Sequence, residues 1–276
     1  VLSSVLALLF VVLAFCYTDA LQFKIFLTLV LLYGACEWAC LVSRNMWLRG
    51  VSWMLSALAL WLGIWFVPSM SLEMSSQIYR FNFYATVIMM LPIAGSFFYS
   101  NIFFFYRNTF FWLLSGFCLM FGLASASMLL TEYGEMPILL LLCLIPIWAN
   151  DIAAYCVGSQ WGKNYLSCLS PGKTLEGYVA GVGAVFFCLI FYYMLFYMHH
   201  WTISILPLLS ILFLLISICL SLVLLIGDLF ESALKRHAGV KDSGYCLPGH
   251  GGLLDRLDSL LLLFPILAYI MGGILA

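Results

Sequence analysis

Long apolar runs alternate with short polar segments along almost the whole chain. Each run is close to the roughly 20 residues that a helix needs to cross a bilayer core, so the pattern predicts about nine transmembrane helices. Their approximate bounds are 1–17, 21–42, 50–67, 83–99, 110–130, 137–149, 175–198, 203–226 and 257–276. The sixth run is short and ends at Asn150 and Asp151. We expect it to continue as a helix to Val157, beside a polar cavity.

The composition agrees with this pattern. Apolar residues make up 65% of the chain and charged residues only 8%, whereas a soluble domain has about a quarter charged residues. The predicted fold class is therefore an all-α integral membrane protein. A net charge of −1 lacks the basic footprint of a nucleic-acid-binding domain, so we expect no nucleic-acid partner.

The loop charges predict an orientation. Nine spans place the two termini on opposite sides of the membrane. If the N-terminus is cytoplasmic, nine of the 11 Lys and Arg residues lie on the cytoplasmic side, and only Lys24 and Arg80 lie outside. Because cytoplasmic loops carry the excess of cations, we predict a cytoplasmic N-terminus and an outer C-terminus.

Charged residues are concentrated near the end of the chain. The chain has 11 basic and 12 acidic residues, and nine of these charged residues fall between positions 228 and 258. Four polar residues are spaced i, i+3, i+4 and i+7, namely Asp228, Glu231, Ser232 and Lys235. They form one polar stripe if the eighth helix continues past Gly227. Asp255 and Asp258 are expected one turn apart at the start of the ninth helix.

A glycine-rich loop joins these two helices. Glycines allow the backbone to approach a ligand closely, and they occur at positions 239, 244, 249, 251 and 252. Carboxylates from two helices, with interleaved cations, suit a magnesium and phosphate site. The alternative is a solvated hairpin of surface ion pairs. Two features favour a binding site over a solvated hairpin. Asp228 is predicted at the membrane boundary, where an unpaired carboxylate is costly, and His250-Gly251-Gly252 precedes an Asp-Arg-x-Asp turn, which a purely structural loop does not need.

A second polar segment precedes the seventh span. It begins at Asp151 and ends with Ser170-Pro171-Gly172-Lys173-Thr174. Ser170 as N-cap, with Pro171 at the first helical position, would start the helix. Its free N–H groups, with Lys173 and Thr174, would form a phosphate cradle. The alternative is a helix cap with an anchoring lysine.

These motifs resemble a known family. The spaced residues Ser232, Lys235-Arg236, Lys241-Asp242, His250-Gly251-Gly252 and Asp255-Arg256-Leu257-Asp258 are similar to the signature of phosphatidate cytidylyltransferases, also called CDP-diacylglycerol synthases. Asp151-x-x-Ala154-Tyr155 and the segment from Ser170 to Thr174 also resemble that family. The resemblance implies a multi-pass enzyme of the bacterial inner membrane, homodimeric, that converts CTP and phosphatidate to CDP-diacylglycerol and pyrophosphate. Residues 1–136 would be N-terminal transmembrane helices. Residues 137–276 would form the catalytic transmembrane region, with cytoplasmic loops 150–174 and 227–258.

The resemblance also implies site residues. Asp228 and Asp255 would hold Mg²⁺, with K⁺ as a further candidate ion. Cations expected to neutralise phosphate charge are Lys235, Arg236, Lys241 and Arg256. Residues expected to bind substrate or orient these groups are Asp151, Ser170, Lys173, Thr174, Ser232, His250, Gly251, Gly252 and Asp258. Ser170 and Lys173 could meet either the lipid phosphate or the nucleotide.

Two other functions are compatible with so few charges. An ion-coupled transporter could use Asp151 and Asp228, but it would place ionisable groups near the midplane, whereas here they gather at one predicted face. The exception is Glu37, which we interpret as a paired structural residue. Another lipid phosphotransferase, of the CDP-alcohol type, would need a D-G-x-x-A-R series, which the sequence lacks.

Overall fold

The computed structural model describes residues 20–95, 108–132, 138–167, 170, 172–197, 206–244 and 251–275. Within these ranges the chain is helical and contains no β-strand. The helices are α1 (Ala20–Val42), α2 (Met46–Trp61), α3 (Leu72–Gly95), α4 (Thr109–Glu132), α5 (Ile138–Trp161), α6 (Leu175–Tyr197), α7 (Leu206–Ala238), α8 (Leu254–Leu257) and α9 (Leu260–Leu275). A π-helical turn (Leu62–Phe66) and a 3-10 turn (Val67–Ser69) follow α2.

The all-helical membrane class is confirmed at this level. Among the residues that the structure describes, six helices are long and apolar enough to cross a membrane, with bounds Leu21–Val42, Met46–Ser69, Thr109–Leu129, Leu142–Trp161, Leu175–Leu195 and Leu209–Ala238. Leu260–Ile274 is a shorter apolar helix. The first predicted span, 1–17, lies outside the described residues. The count of nine spans and the orientation of the termini stay predictions.

The chain divides into two compact units. One consists of Val1–Leu141 and Ile226–Ala276, and the other of Leu142–Leu225. The first unit holds α1 to α4, the end of α7, α8 and α9, and the second holds most of α5, α6 and the start of α7.

Aromatic side chains organise the interior of the first unit. The ring of Trp38 on α1 stacks on Phe230 of α7 with centroids 6.2 Å apart, and Trp112 of α4 meets both rings edge-on. Trp38 Nε1 also donates a hydrogen bond of 3.3 Å to the carbonyl oxygen of Trp112. Because Trp38 and Trp112 are fully buried, this cluster fixes α1 beside α4 and α7.

The C-terminal part of α7 follows the sequence pattern. The helix continues past Gly227 to Ala238, so the conditional prediction of a polar stripe is met. Gly227 allows close approach of the chain that follows α8, since a Cβ there would lie 2.8 Å from the carbonyl oxygen of Asp258.

The predicted start of the last helix is wrong. Asp255 lies in the short helix α8, Asp258 lies in a turn, and α9 begins only at Leu260. The side-chain Oδ1 of Asp258 accepts the Ser259 N–H at 2.8 Å. A continuous α-helix would pair that N–H with the carbonyl of residue 255. The capture of this donor by Asp258 is the physical reason for the break.

The predicted cap of the α6 helix is also wrong. The helix begins at Leu175 rather than at position 171, and its cap is Thr174, whose Oγ1 accepts the Gly177 N–H at 3.2 Å. Ser170 instead closes a turn, since its carbonyl accepts the Lys173 N–H at 3.1 Å. Threonine, like serine, has a side-chain oxygen that can accept a free N–H at a helix start. The observed cap therefore lies four residues after the predicted one.

Candidate active site

The polar stripe on α7 is buried. Asp228 is 6% exposed and Glu231 is 0% exposed, although both are acids. Lys235, one turn after Glu231, forms an ion pair with its Oε2. Burying a carboxylate costs several kcal/mol, on the order of what a close cation and hydrogen bonds can return. The ion pair with Lys235 therefore offsets part of the cost of burying Glu231.

Lys235 also joins α7 to α8. Its Nζ donates a hydrogen bond of 2.8 Å to Oδ1 of Asp255, and the two side chains are only 15% and 12% exposed. One ammonium group thus serves two carboxylates from different helices. This contact brings together two of the residues that the sequence predicted for the site.

Asp255 holds the ends of the glycine-rich loop. Its Oδ2 accepts the Ser243 N–H at 3.0 Å and the Gly252 N–H at 2.8 Å. Burial alone would raise the pKa of Asp255. The hydrogen bonds from Lys235 and from these two backbone groups outweigh burial and lower the pKa to about 2. Asp255 is therefore an anionic carboxylate at neutral pH.

A second carboxylate, that of Glu37 on α1, meets the same loop. It is 6% exposed. Its Oε1 accepts the Leu253 N–H at 3.1 Å, and its Oε2 accepts the Leu254 N–H at 2.8 Å and the Ser243 hydroxyl at 3.1 Å. We predicted that Glu37 is a paired structural residue, and these hydrogen bonds confirm that it is paired. Its partners lie more than 200 positions away in the sequence.

Glycine is required at three positions beside these carboxylates. A Cβ at Gly252 would overlap the Ser243 hydroxyl and come within 2.6 Å of Glu37 Oε2, and a Cβ at Gly244 would lie 2.9 Å from Glu37 Cδ. Gly251 adopts a left-handed conformation with φ +84°, which other residues rarely adopt. The glycines therefore let the backbone wrap closely around Glu37 and Asp255.

The remaining predicted residues of this region fall into two groups. Three cations are exposed, namely Arg236, Lys241 and Arg256. Ser232 and Asp258 are half-buried. His250 lies outside the described residues, so its predicted role is unaltered. The cluster of buried acids around Lys235 is thus accompanied by cations that are accessible to an anionic ligand.

The donor set suits a hard cation. Oε1 of Glu231 is buried and has no hydrogen-bond donor among the residues that the structure describes. In the same ranges, no group of three or more His, Cys, Asp or Glu side chains is arranged to hold a metal ion. Mg²⁺ commonly takes one or two carboxylates and completes its shell with water and substrate phosphate. The residues therefore fit Mg²⁺ only when a phosphate ligand supplies further oxygens.

The second polar segment belongs to the other unit. Asp151 Oδ1 accepts a hydrogen bond of 3.1 Å from Asn150 Nδ2. Glu176 gathers the loop before α6, accepting the Lys163 N–H at 3.1 Å and the Asn164 side-chain amide at 2.7 Å. Thr174 is 6% exposed and caps α6. Its hydroxyl thus serves the helix start, and Ser170 and Lys173 are both half-buried.

Comparison with known proteins gives consistent relationships. The family model described as "Cytidylyltransferase family" matches residues 1–273. The phosphatidate cytidylyltransferase of Bacillus subtilis (strain 168) is 44% identical over 132 residues, which is 47% of this chain and 45% of that protein. The phosphatidate cytidylyltransferase of Synechocystis sp. is 42% identical over 123 residues, covering 45% of this chain and 39% of that protein.

A third relative has a similar sequence identity over a similar length. The phosphatidate cytidylyltransferase of Staphylococcus haemolyticus is 39% identical over 131 residues, 46% of this chain and 46% of that protein. The matched part of the chain thus spans 39–46% of the length of these curated relatives.

Proposed function

Since this chain belongs to the cytidylyltransferase family, we propose that it transfers the cytidylyl group of CTP to phosphatidate, giving CDP-diacylglycerol and pyrophosphate. The single observation that carries the proposal is the buried cluster in which Lys235 joins Glu231 to Asp255 next to a glycine-rich loop. Three curated relatives named phosphatidate cytidylyltransferase add to it.

The reaction places clear demands on the site. An oxygen of the phosphatidate phosphate attacks the α-phosphorus of CTP, and the bond from that phosphorus to the β-phosphate oxygen breaks, so the electron pair leaves with pyrophosphate. The attacking oxygen is already anionic and needs no strong base. The protein must therefore align two anionic substrates and neutralise their charge.

The residues near the loop suit that task. Arg236, Lys241 and Arg256 are exposed and can meet phosphate oxygens, while the half-buried Lys235 keeps Asp255 in place. Gly251 and Gly252 are proposed to contact substrate, because the lack of a side chain lets a ligand approach the backbone closely. Ser232, His250 and Asp258 are proposed to orient these groups. Ser170 and Lys173 are proposed to contact the lipid phosphate or the nucleotide.

Mg²⁺ is proposed as the cofactor, held by Asp228 and Asp255. When bound, it would neutralise negative charge on the triphosphate. Glu231 lies buried beside these residues, in contact with Lys235. K⁺ is retained as a further candidate ion.

The location and assembly are part of the proposal. The chain is a multi-pass membrane protein, and its described part alone contains six helices long and apolar enough to span a bilayer. We propose the bacterial inner membrane, with the loop that follows α7 on the cytoplasmic side, because CTP is soluble and phosphatidate stays in the bilayer. A homodimer is proposed as well.

The test is a transfer assay on the purified full chain in detergent–lipid micelles. CTP labelled in its cytidine is supplied with phosphatidate and Mg²⁺, and lipid-soluble label and pyrophosphate are both measured. We expect the two products in equal amounts, and neither without phosphatidate or with excess EDTA. Uptake of a solute into proteoliposomes without pyrophosphate release would instead favour a transporter.

A further inference from the structure

Glu37 lies far from the candidate site in sequence but touches it in the fold. It is buried within the apolar helix α1, where an ionisable side chain is costly and rarely retained without a role. Its three hydrogen-bond donors are the Ser243 hydroxyl and the Leu253 N–H of the glycine-rich loop, and the Leu254 N–H at the start of α8. The carboxylate is therefore aimed at the loop rather than at neighbouring helices.

Glu37 and Asp255 divide the same donors between them. Asp255 accepts the Gly252 N–H, and Glu37 accepts the next two N–H groups along the chain. Ser243 is held from both sides, because its N–H donates to Asp255 and its hydroxyl donates to Glu37. The loop thus enters at Ser243 and leaves at Gly252 through one pair of carboxylates.

We propose that Glu37 is a positioning residue for nucleotidyl transfer: from α1 it clamps both ends of the loop that carries Gly251, Gly252 and Asp255, and so fixes Asp255 and Lys235 for the substrates. This inference rests on the proposed function. Glu37 acts through the loop and touches neither substrate.

Both acceptor oxygens of Glu37 are part of the clamp. A carboxylate has only acceptor oxygens, and all three groups bound to it are donors. A glutamine of the same size has one oxygen and one NH₂ group, so its NH₂ group would face the Leu253 N–H or the Leu254 N–H. At least one buried donor would then lose its acceptor.

The decisive variant is Glu37→Gln, with Glu73→Gln as its matched control. Glu73 is an exposed acid in the first turn of α3, so the control makes the same chemical change away from the loop. Turnover is measured per folded molecule, using the transfer assay at saturating CTP. We expect kcat to fall about 10- to 100-fold in Glu37→Gln, the range for partners that orient a ligand. The control should retain wild-type turnover.

A second readout does not depend on activity. Amide hydrogen exchange reports whether the Leu253 and Leu254 N–H groups keep their acceptors. We expect faster exchange at one or both positions in Glu37→Gln and unchanged exchange in Glu73→Gln. A residue that only stabilised the fold would lower the amount of folded protein and leave kcat per folded molecule unchanged.

Ser243→Ala keeps the inference testable if Glu37→Gln does not fold. It removes only the hydroxyl that donates to Glu37, so we expect a loss of about fivefold, the effect of one ordinary hydrogen bond. Wild-type turnover in Ser243→Ala, or turnover and exchange in Glu37→Gln equal to the control, would overturn the role of Glu37 while the wild type remains active. An inactive wild type would instead overturn the proposed function, and with it the role of Glu37.

Discussion

Lys235 Nζ on α7 lies 2.8 Å from Oδ1 of Asp255 on α8 while it also pairs with Glu231 on its own helix. The two carboxylates lie on different helices, and Asp255 is 20 positions beyond Lys235 in the chain. Their shared cation couples the end of a long membrane helix to the glycine-rich loop. Any change at Lys235 should therefore affect both the fold and the candidate site.

Replacing Lys235 by methionine should strongly destabilise the protein. Lys235→Met keeps the length of the side chain but leaves Glu231 buried without its cation, and breaking a buried pair costs about 3–5 kcal/mol. Denaturant unfolding in micelles measures the change. Arg236→Met is the control, because Arg236 is exposed and surface changes stay within about 0.5 kcal/mol. Equal stability of the two variants would contradict the prediction.

The low pKa of Asp255 predicts acid sensitivity in a defined window. The pKa is about 2 in the folded protein and 3.8 ordinarily, so the charged form is favoured by folding. Its contribution is complete above about pH 4 and is lost as the pH falls to about 2. Unfolding midpoints at pH values from 5 to 2 should therefore fall more steeply in the wild type than in Asp255→Asn. Parallel curves would contradict the assignment.

The sequence predicted those parts of the protein that depend on local spacing. Apolar run length predicted the helical class, and the i, i+3, i+7 spacing of Asp228, Glu231 and Lys235 predicted the stripe on α7. The break before α9 was not predictable from spacing, because Asp255 and Asp258 are one turn apart in either conformation. The side-chain contact from Asp258 to the Ser259 N–H decides the outcome.

Contacts between distant segments could not be predicted from the sequence. Glu37 was recognisable as unusual, since it is an acid within an apolar run, and that signal indicated pairing. Nothing in the spacing identified Ser243 or Leu254 as its partners, because the contact depends on how α1 packs against the end of α7. Trp38, next to Glu37, stacks on Phe230 and makes that packing specific.

Adding a methyl group at Gly252 should impair the site. Gly252→Ala places a Cβ against the Ser243 hydroxyl and within 2.6 Å of Glu37 Oε2, so the clamp must open to admit it. We expect a loss of transfer activity of about tenfold or more, within the range for disturbed orienting groups. Gly50→Ala is the matched control. Gly50 has nothing within 4 Å of its Cβ position, and alanine in a helix is stabilising by about 0.5–1 kcal/mol.

The Gly50→Ala control shows whether a loss of activity is specific to the glycine-rich loop. Loss of activity in Gly252→Ala with retained activity in Gly50→Ala would locate the effect in the loop. Full activity in Gly252→Ala would show that the loop tolerates displacement, contrary to the prediction.

The cap of α6 should contribute measurably to stability. Thr174→Ala removes the hydroxyl that accepts the Gly177 N–H and should lower the free energy of unfolding by about 1 kcal/mol. Thr174→Ser retains a hydroxyl at the cap and should lose less. Thermal unfolding of both variants tests the assignment, and an equal loss in the two would show that the methyl group, rather than the cap, matters at this position.

The predicted orientation can be tested at two exposed cations. Lys241, in the loop after α7, is predicted to be cytoplasmic, and Arg80, on α3, is predicted to lie outside. In a cysteine-free background, Arg80→Cys should react with a membrane-impermeant maleimide in intact spheroplasts, whereas Lys241→Cys should react only after permeabilisation. The unsubstituted background reports nonspecific labelling. The reverse pattern would place the glycine-rich loop on the side away from cytoplasmic CTP, and the proposed reaction could not proceed there.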